Sequence, residues 1–268
     1  FLKQYTAVYP DANALAITQD RIAEKKLFNA LDIPCADFFE IDNVRQLENA
    51  IEKFKYSAIL KTRRLGYDGK GQCNIKDKNS MPSASAMLND TKGDLILEKK
   101  VAFDCEVSII AARNSKCDCV YYPLAHNTHV NGILRESTAP YTQDDLQVKA
   151  QAYAQKIIEH FNYVGVIAIE FFVVGNELFA NEIAPRVHNS GHWSIEASNT
   201  SQFENHLRAV TNIPLGDTST SPVTMTNIIG TFPAGTSKAN NTVIHDYHKS
   251  ERPNRKLGHI TSCDNIRS

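Results

Sequence analysis

An α+β fold with two lobes and a small β-rich C-terminal module is predicted for this sequence of 268 residues. Three observations predict it. Strand-like segments are grouped between polar and glycine turns instead of alternating regularly with helices, which favours antiparallel sheets. Four segments show the apolar spacing of amphipathic helices. The length exceeds the roughly 100 to 200 residues of a usual single domain, which favours two packed lobes.

Two helices are predicted first. Gln19 to Leu31 has Asp20 as a capping candidate, apolar residues near helical spacing, and Ile33-Pro34 as a stop signal. Asp42 to Phe54 repeats the helical pattern. The start of the chain is therefore predicted to be a helical region that follows a short connecting segment.

A glycine-rich run, Gly66-Tyr67-Asp68-Gly69-Lys70-Gly71, lies between strands predicted over 57–61 and 72–75. Glycine lets backbone N–H groups approach a polyphosphate closely, and the nearby cations are Lys61, Arg63, Arg64 and Lys70. The run matches neither the Walker P-loop nor the Rossmann fingerprint, because a strand follows it. An ordinary exposed hairpin loop is the alternative reading of this run on its own.

The rest of the chain is predicted as sheet interrupted by two helices. One long helix is predicted to be capped by Thr142 and to end near Phe161, and a second covers 202–211. Strands are predicted over 95–98, 106–112, 119–124, 133–137, 163–174, 177–183, 223–229 and 257–261. We therefore divide the chain into a linker at 1–19, a small lobe at 20–95, a large lobe at 96–215 and a C-terminal module at 216–268.

Glu170 lies within an almost entirely apolar strand, where an unpaired ionised carboxylate costs several kcal/mol. It therefore needs a cation, either Lys or Arg in a buried salt bridge or a divalent metal ion. Glu182, on the returning strand, supplies a second carboxylate, and two carboxylates from one hairpin suit Mg²⁺.

The register of this hairpin is constrained by the alternation of side chains. A two-residue loop of Gly175-Asn176 alone would place Asn181 opposite Glu170. Only a loop with an odd number of residues, or a β-bulge, brings Glu182 opposite Glu170. The shared metal site therefore predicts one of these two irregularities.

The segment after Glu182, from Ala184 to Trp193, is dense in hydrogen-bonding side chains. A polar surface loop is the simple explanation, but its position directly beyond a carboxylate strand favours a functional site. The planar guanidinium of Arg186 is suited to hold a small oxyanion.

Composition narrows the functional classes. Hydrophobic residues make up 42% and charged residues 22%, which predicts a folded protein, and a net charge of −1 gives no global field for nucleic acid or an anionic membrane. The six cysteines show no paired CxxC spacing, so they are predicted to be reduced thiols in a cytoplasmic protein. No apolar run reaches the length of a membrane-spanning helix.

Several of these segments resemble N5-carboxyaminoimidazole ribonucleotide synthases, which are ATP-grasp enzymes of purine biosynthesis. The resemblance covers nearly the whole chain in order. It is carried by Asp20-Arg21 to Lys25, GYDGKGQ at 66–72, YPLAHN at 122–127, GILR at 132–135 and NEIAPRVHNSGH at 181–192. Many ATP-grasp proteins share a glycine loop and a carboxylate strand, but these particular sequence motifs are specific to a much smaller group.

The resemblance implies an ATP-grasp fold, in which two lobes enclose ATP under a glycine-rich lid, and it implies roles for individual residues. The implied Mg²⁺ ligands are Glu170 and Glu182. The implied nucleotide contacts are Lys61, Tyr67, Gly69, Gly71, Gln72, Glu98, Lys99, Val101, Glu106 and Asn181. The implied catalytic residues are Arg186, His188 and Asn189. The implied ribonucleotide or bicarbonate contacts are Arg21, Tyr67, Asp68, Arg186, Asn189, Ser190, Lys249 and Lys256.

The implied activity is carboxylation of aminoimidazole ribonucleotide with ATP and bicarbonate through carboxyphosphate. The resemblance further implies a homodimer, a functional link to a mutase that uses the product, and an N-terminal doubly wound domain that this chain lacks. Three alternatives remain open at this stage: another ATP-grasp carboxylase or ligase, a catalytically incomplete ATP-binding fragment, and a non-catalytic nucleotide-binding protein.

Overall fold

The computed structural model describes residues 1–66, 71–233 and 241–264. Its helices are α1 (Ala12–Thr18), α2 (Arg21–Ala30), α3 (Val44–Lys53), α4 (Met81–Thr91), α5 (Asp144–His160), α6 (Ser194–Ala197) and α7 (Gln202–Val210). The first strands are β1 (Phe38–Ile41), β2 (Ala58–Thr62), β3 (Gln72–Ile75), β4 (Leu95–Lys99), β5 (Cys105–Arg113), β6 (Cys119–Tyr121) and β7 (Ala125–Val130). The remaining strands are β8 (Ile133–Ala139), β9 (Gly165–Val174), β10 (Glu177–Ala184), β11 (Val223–Ile229), β12 (Thr242–Asp246) and β13 (Lys256–Cys263).

The small lobe is a four-stranded antiparallel sheet in the order β1-β4-β2-β3, with α3 and α4 packed on one face. Alternation along β2 sends Ala58 and Leu60 into the apolar core beneath these helices. Ile59 and Lys61 therefore point to the opposite face. Lys61 of β2 and Glu98 of β4 are thus directed away from the helices.

The large lobe is a nine-stranded antiparallel sheet in the order β10-β9-β5-β7-β8-β11-β13-β12, with β6 paired to β5. The C-terminal strands continue this sheet, because β11 pairs with β8 on one side and with β13 on the other. Strands β11, β12 and β13 therefore extend the large sheet rather than building a sheet of their own.

Two apolar layers cover the large sheet. Odd-numbered residues of β5 and β9 pack with Ala14 of α1, Phe28 of α2 and the apolar stripe of α5. Even-numbered residues of the same strands pack with the fully buried Trp193 and with Ala197 of α6. Each central strand is therefore buried on both faces, which explains its almost uninterrupted apolar sequence.

The predicted amphipathic helices are confirmed, although Thr142 as a cap is wrong. The long helix begins at Asp144, and Gln143 occupies the capping position without a side-chain hydrogen bond. The strand predicted over 119–124 ends at Tyr121, before Pro123 removes a backbone donor. The elements α1, β1, α4, β7, α6 and β12 were not predicted from the sequence.

Asp20 joins α2 to the small lobe, and its predicted capping role is confirmed. Its carboxylate accepts from the N–H groups of Ile22 and Ala23 and receives the guanidinium groups of Arg63 and Arg64, at 2.8 and 3.1 Å respectively. Burial alone would raise the pKa of Asp20, but the hydrogen bonds from Arg63, Ala23 and Arg64 outweigh it and lower the pKa to about 2.

Within the part of the chain that the structure describes, none of the helices combines the length and the apolar character needed to cross a lipid bilayer.

Asp20→Asn is expected to lower the free energy of unfolding by about 1–3 kcal/mol near neutral pH, because the buried carboxylate loses the charge that pairs with Arg63 and Arg64. Since the folded pKa lies below the ordinary value of 3.8, this contribution is complete above that value. It disappears as pH falls from about 4 to about 2. Urea unfolding of both proteins across this range measures the difference.

Asp37→Asn is the matched control, because Asp37 also pairs with a cation, Lys99, but its side chain is 68% exposed. An exposed pair contributes about 0–1 kcal/mol. A difference between wild type and Asp20→Asn that is no larger than for Asp37→Asn, or that is independent of pH, contradicts the prediction.

Candidate active site

Glu170 and Glu182 lie opposite each other on neighbouring strands. The hairpin starts with a two-residue loop, because Glu177 pairs with Val174, and the register then shifts between Ala180 and Glu182. The extra residue, Asn181, brings Glu182 into register with Glu170. Of the two irregularities that the sequence predicts, the structure therefore shows the bulge.

The two carboxylates converge with a histidine. One ligand-type atom from each of Glu170, Glu182 and His188 lies within 4.8 Å of the others. Glu170 is nearly buried, whereas Glu182 is exposed. Burial, and secondarily the negative charge of Glu182, raise the pKa of Glu170. This arrangement favours either a shared proton or a cation between the carboxylates.

A row of polar side chains extends from this pair across the sheet. Ser108 lies beside Glu170 on β5 and donates to Ser190 at 2.8 Å. The amide of Asn127 donates to Ser108, and Ser137 donates to Asn127. All four side chains are buried. The row satisfies its own hydrogen bonds, so it forms a fixed polar floor beneath the carboxylates.

His188 is held in one tautomer by the backbone. The N–H of Ser190 donates to His188 Nδ1 at 3.3 Å, so the proton of the neutral ring belongs on Nε2. Nε2 faces Glu170 Oε1 at 3.8 Å. Burial first, then the positive charges of Arg186 and Lys256, lower the pKa of His188 to about 3. The imidazole is therefore neutral near physiological pH.

The backbone of His188 is fixed by a residue that sequence reasoning missed. Its N–H donates to the amide oxygen of Gln202 at 2.9 Å, and its carbonyl accepts from Gln202 Nε2 at 2.7 Å. Gln202 is completely buried at the start of α7. This reciprocal pair anchors the loop that carries the predicted catalytic residues.

Glu106 has a partner that sequence reasoning also missed. His129 Nδ1 on β7 lies 2.6 Å from Glu106 Oε2. Burial alone would lower the pKa of His129, but the contact with Glu106 and the charge of Glu170 outweigh it and raise the pKa. The only signal in the sequence was the polar alternation of Asn127 and His129 along a short strand.

Lys61 and Glu98 form an ion pair on the face of the small sheet opposite its helices, with 2.9 Å between Nζ and Oε2. Burial alone would raise the pKa of Glu98, but the positive charges of Lys61 and Lys25 outweigh it and lower the pKa to about 2. Lys99 points elsewhere, toward Asp37 at 3.3 Å. Val101 follows β4 and is half-buried.

Arg186 and Asn189 follow the carboxylate strand in different environments. The Arg186 side chain is exposed, and its Nη1 donates to the neighbouring Val187 carbonyl at 2.9 Å. Asn189 exchanges two side-chain hydrogen bonds with Asn227 of β11, at 3.0 and 2.7 Å. The C-terminal strands thus hold one side of the site, which no local sequence pattern indicated.

The predicted ribonucleotide contacts are more dispersed. Arg21 donates to the carbonyls of Thr62 and Gly66, at 2.9 and 2.8 Å. Lys249 is exposed above the Tyr247 ring, at 5.1 Å from its centroid. Lys256 begins β13 and is half-buried.

The described residues include only the two ends of the glycine-rich run, Gly66 and Gly71. Tyr67, Asp68, Gly69 and Lys70 lie outside the described residues. Gly71 has a φ of +67°, and a Cβ built there would lie 2.9 Å from the Thr62 hydroxyl oxygen, so glycine is required. Gln72 then starts β3.

Glu170→Gln is expected to stabilise the protein in the absence of divalent cations. The folded pKa of Glu170 is raised above its ordinary value of 4.5, so ionisation at this position opposes folding. The gain, on the order of 1–3 kcal/mol, should be absent below about pH 5 and should grow toward about pH 8. Urea midpoints measured with a chelator across this range provide the test.

Glu177→Gln serves as the control, because Glu177 is an exposed carboxylate of the same hairpin. A pH-independent gain in Glu170→Gln, or an equal gain in both variants, is incompatible with a buried carboxylate that lacks a cation.

Comparison with known protein families gives two matches. The ATP-grasp domain family matches residues 26–203. The family described as the phosphoribosylaminoimidazole carboxylase C-terminal domain matches residues 223–267.

Curated relatives carry one recurrent name. The chain is 44% identical to the N5-carboxyaminoimidazole ribonucleotide synthase of Pseudomonas aeruginosa, over 97% of this chain and 72% of that protein. It is 36% identical to the enzyme of the same name from Escherichia coli, over 96% of this chain and 72% of that protein.

Solved structures agree with this. The N5-carboxyaminoimidazole ribonucleotide synthetase of Thermus thermophilus has a TM-score of 0.91 at 44% identity, with 98% of this chain and 72% of that chain covered. The Aspergillus clavatus enzyme, solved with ADP and 5-aminoimidazole ribonucleotide, has a TM-score of 0.87 at 28% identity, with 98% and 73% covered.

Proposed function

The chain belongs to the ATP-grasp family, and within it to the N5-carboxyaminoimidazole ribonucleotide synthases; from this premise we propose how its residues divide the reaction. The enzyme is an ATP-dependent carbon–nitrogen ligase that carboxylates 5-aminoimidazole ribonucleotide in purine biosynthesis. The observation that carries the proposed division of roles is the register of Glu170 and Glu182, which brings two carboxylates together beside the polar loop 184–193.

We propose that Glu170 and Glu182 hold Mg²⁺. Their oxygens are the ligand type that Mg²⁺ prefers, and the raised pKa of Glu170 is what a buried carboxylate shows when no cation balances it. The residues therefore fit the ion. When bound, Mg²⁺ would neutralise phosphate oxygens of ATP. His188 is not proposed as a ligand, since Mg²⁺ favours oxygen.

The nucleotide is proposed to lie between the two lobes. Lys61 would contact a phosphate, Glu98, Lys99 and Val101 would border the adenine, and Glu106 would bind the ribose. The proposed set is completed by Tyr67, Gly69, Gly71 and Gln72 of the glycine-rich run and by Asn181 in the bulge. Lys61 can turn toward a phosphate without leaving Glu98 uncompensated, because the charge of Lys25 also stabilises Glu98.

The loop 184–193 is proposed to carry out the carboxylation. Bicarbonate attacks the γ-phosphorus of ATP, which releases ADP and forms carboxyphosphate. The exocyclic amine of the imidazole then takes the carboxyl group, and phosphate and the amine proton leave. Arg186 would bind bicarbonate as a planar pair, and neutral His188 would donate its Nε2 proton in a hydrogen bond to the oxyanion.

The residues proposed to bind the ribonucleotide are Arg21, Tyr67, Asp68, Asn189, Ser190, Lys249 and Lys256. Ser190 is fully buried and hydrogen-bonded to Ser108, so its contribution would be to hold His188 in place. Asn189 would be oriented by Asn227.

We further propose a cytoplasmic homodimer whose product is used by a mutase. The carbamate product loses CO₂ readily, so an enzyme that rearranges it must act soon after its release. The residue ranges 20–95, 96–215 and 216–268 remain our proposed functional units.

Glu182→Gln is expected to lower kcat about 10²–10³-fold, because one charged ligand of the ion is lost at the transferring phosphoryl group. Steady-state ADP formation by the full-length natural protein measures it, with Glu177→Gln as the matched control. Near wild-type turnover in Glu182→Gln would falsify the metal-ligand role.

The ADP-formation assay also distinguishes the proposed reaction from those of other ATP-grasp ligases. ADP formation should require both bicarbonate and 5-aminoimidazole ribonucleotide. Stimulation by biotin or by formate in place of these substrates would assign the chain to a different ATP-grasp reaction.

Arg186→Lys is expected to raise the KM for bicarbonate at least about tenfold while leaving the KM for ATP nearly unchanged. A lysine keeps the charge but loses the planar pair of donors that matches a carboxylate-like anion. Initial rates measured over a range of bicarbonate concentrations test this. Arg135→Lys, on strand β8 of the same sheet, controls for loss of any guanidinium group. An equal KM for bicarbonate in all three proteins rejects the role.

A further inference from the structure

The outer edge of β10 is covered by side chains of α2. Strand β10 is the first strand of the large sheet, and among the described residues its outer edge has only an isolated bridge between Ala180 and Cys35. The ammonium group of Lys25, which is 1% exposed, donates to the carbonyls of Ala180 at 3.2 Å and Asn181 at 2.9 Å. A buried lysine thus binds the bulge residue and the residue before it.

Glu24 binds the other side of the bulge. Its side chain is 2% exposed, and Oε1 accepts from the N–H of Ile183 at 2.7 Å. The N–H of Ala180 donates to the carbonyl of Pro34 at 2.7 Å. Backbone groups on both sides of Asn181 are therefore satisfied from outside the sheet, in a buried place where losing a partner is costly.

The bulge determines the face on which Glu182 lies. Ala180 and Ile183 both enter the apolar layer shared with α2 and α5, whereas Ala184 enters the opposite layer. Without the extra residue, Glu182 would follow Ala180 by two positions and would point into the apolar layer. A continuous strand would therefore separate the two carboxylates by the thickness of the sheet.

We infer that Glu24 and Lys25 are positioning residues that hold the bulge and thereby present Glu182 to the metal ion beside Glu170. The inference rests on the proposed function, in which Glu170 and Glu182 bind Mg²⁺. Neither side chain contacts the proposed reactants. Their contacts act through the carbonyl of Asn181 and the N–H of Ile183, which flank Glu182 directly.

The test is the coupling between Mg²⁺ and nucleotide in the full-length natural protein. The affinity for a non-hydrolysable ATP analogue, adenylyl imidodiphosphate, is measured by calorimetry with and without Mg²⁺. Lys25→Met and Glu24→Leu are expected to reduce the ratio of the two affinities by about 10- to 100-fold, as is typical when the groups that orient a metal ligand are removed.

Two variants serve as controls. Lys26→Met removes the ammonium group at the next helix position, where Lys26 is exposed and pairs with Glu40. Glu24→Gln keeps an oxygen that accepts from Ile183. Both should retain the wild-type ratio. Glu24→Gln also keeps the hydrogen-bond acceptor, which the inference requires, while removing the ability of the side chain to carry a negative charge.

Each outcome decides between the alternatives. If Lys25 and Glu24 have a purely structural role, the variants lose affinity for the ATP analogue equally with and without Mg²⁺. The ratio of the two affinities then stays unchanged, and this result overturns the inference. If Lys25→Met does not fold, Glu24→Leu and Glu24→Gln decide, because they differ chiefly in the acceptor. Glu182→Gln distinguishes the two proposals: if it leaves the ratio unchanged, the metal site itself fails, and if it alone lowers the ratio, only the positioning role fails.

Discussion

One extra residue in an edge strand brings together the two carboxylates that we propose to bind the metal ion. The bulge at Asn181 reverses the alternation of side chains for the rest of β10, so that Glu182 joins Glu170 on one face of the sheet. The face that these two share also carries Ser108 and Glu106, because β5 continues the same row. The proposed active site is therefore a polar patch at the end of β5 and β9, whose other residues are largely apolar on both faces.

Burying carboxylates in such a patch costs free energy of folding, and the surrounding contacts offset little of that cost. The carboxylates have no lysine or arginine as an ion-pair partner among the described residues. Ser108 and His188, which lie next to Glu170, are neutral, although the positive charges of His129 and Lys256 also act on Glu170. A permanent salt bridge would make the carboxylates less available to a divalent cation. The charge that the site requires is instead left for the ion and its phosphates, which is consistent with a site built to bind an anionic nucleotide together with a metal.

Sequence reasoning found the parts of the fold and site that are encoded locally. Glu170 was recognisable because a carboxylate interrupts an apolar strand, and the parity of the hairpin predicted a bulge or an odd loop before either was seen. Parity alone did not say which of the two occurs, since Lys25 and Glu24, which hold the bulge, lie about 155 positions away in the chain. His129, Gln202 and Asn227 were missed for the same reason. Helix α4 was missed because its serines and single proline obscure the apolar spacing.

Polar contacts connect α2, which packs on the large sheet, to the small lobe. Asp20 connects α2 to the small lobe through Arg63 and Arg64, and Glu98 faces the ammonium groups of Lys61 and Lys25. Lys25 is fixed by two carbonyls of the bulge, whereas Lys61 is bound only by Glu98 among its described hydrogen bonds. The fixed lysine keeps Glu98 ionised in either arrangement, so Lys61 is the cation that can be shared with a phosphate. Lys25, which we infer positions Glu182, would thus also leave Lys61 free to contact a phosphate of the nucleotide.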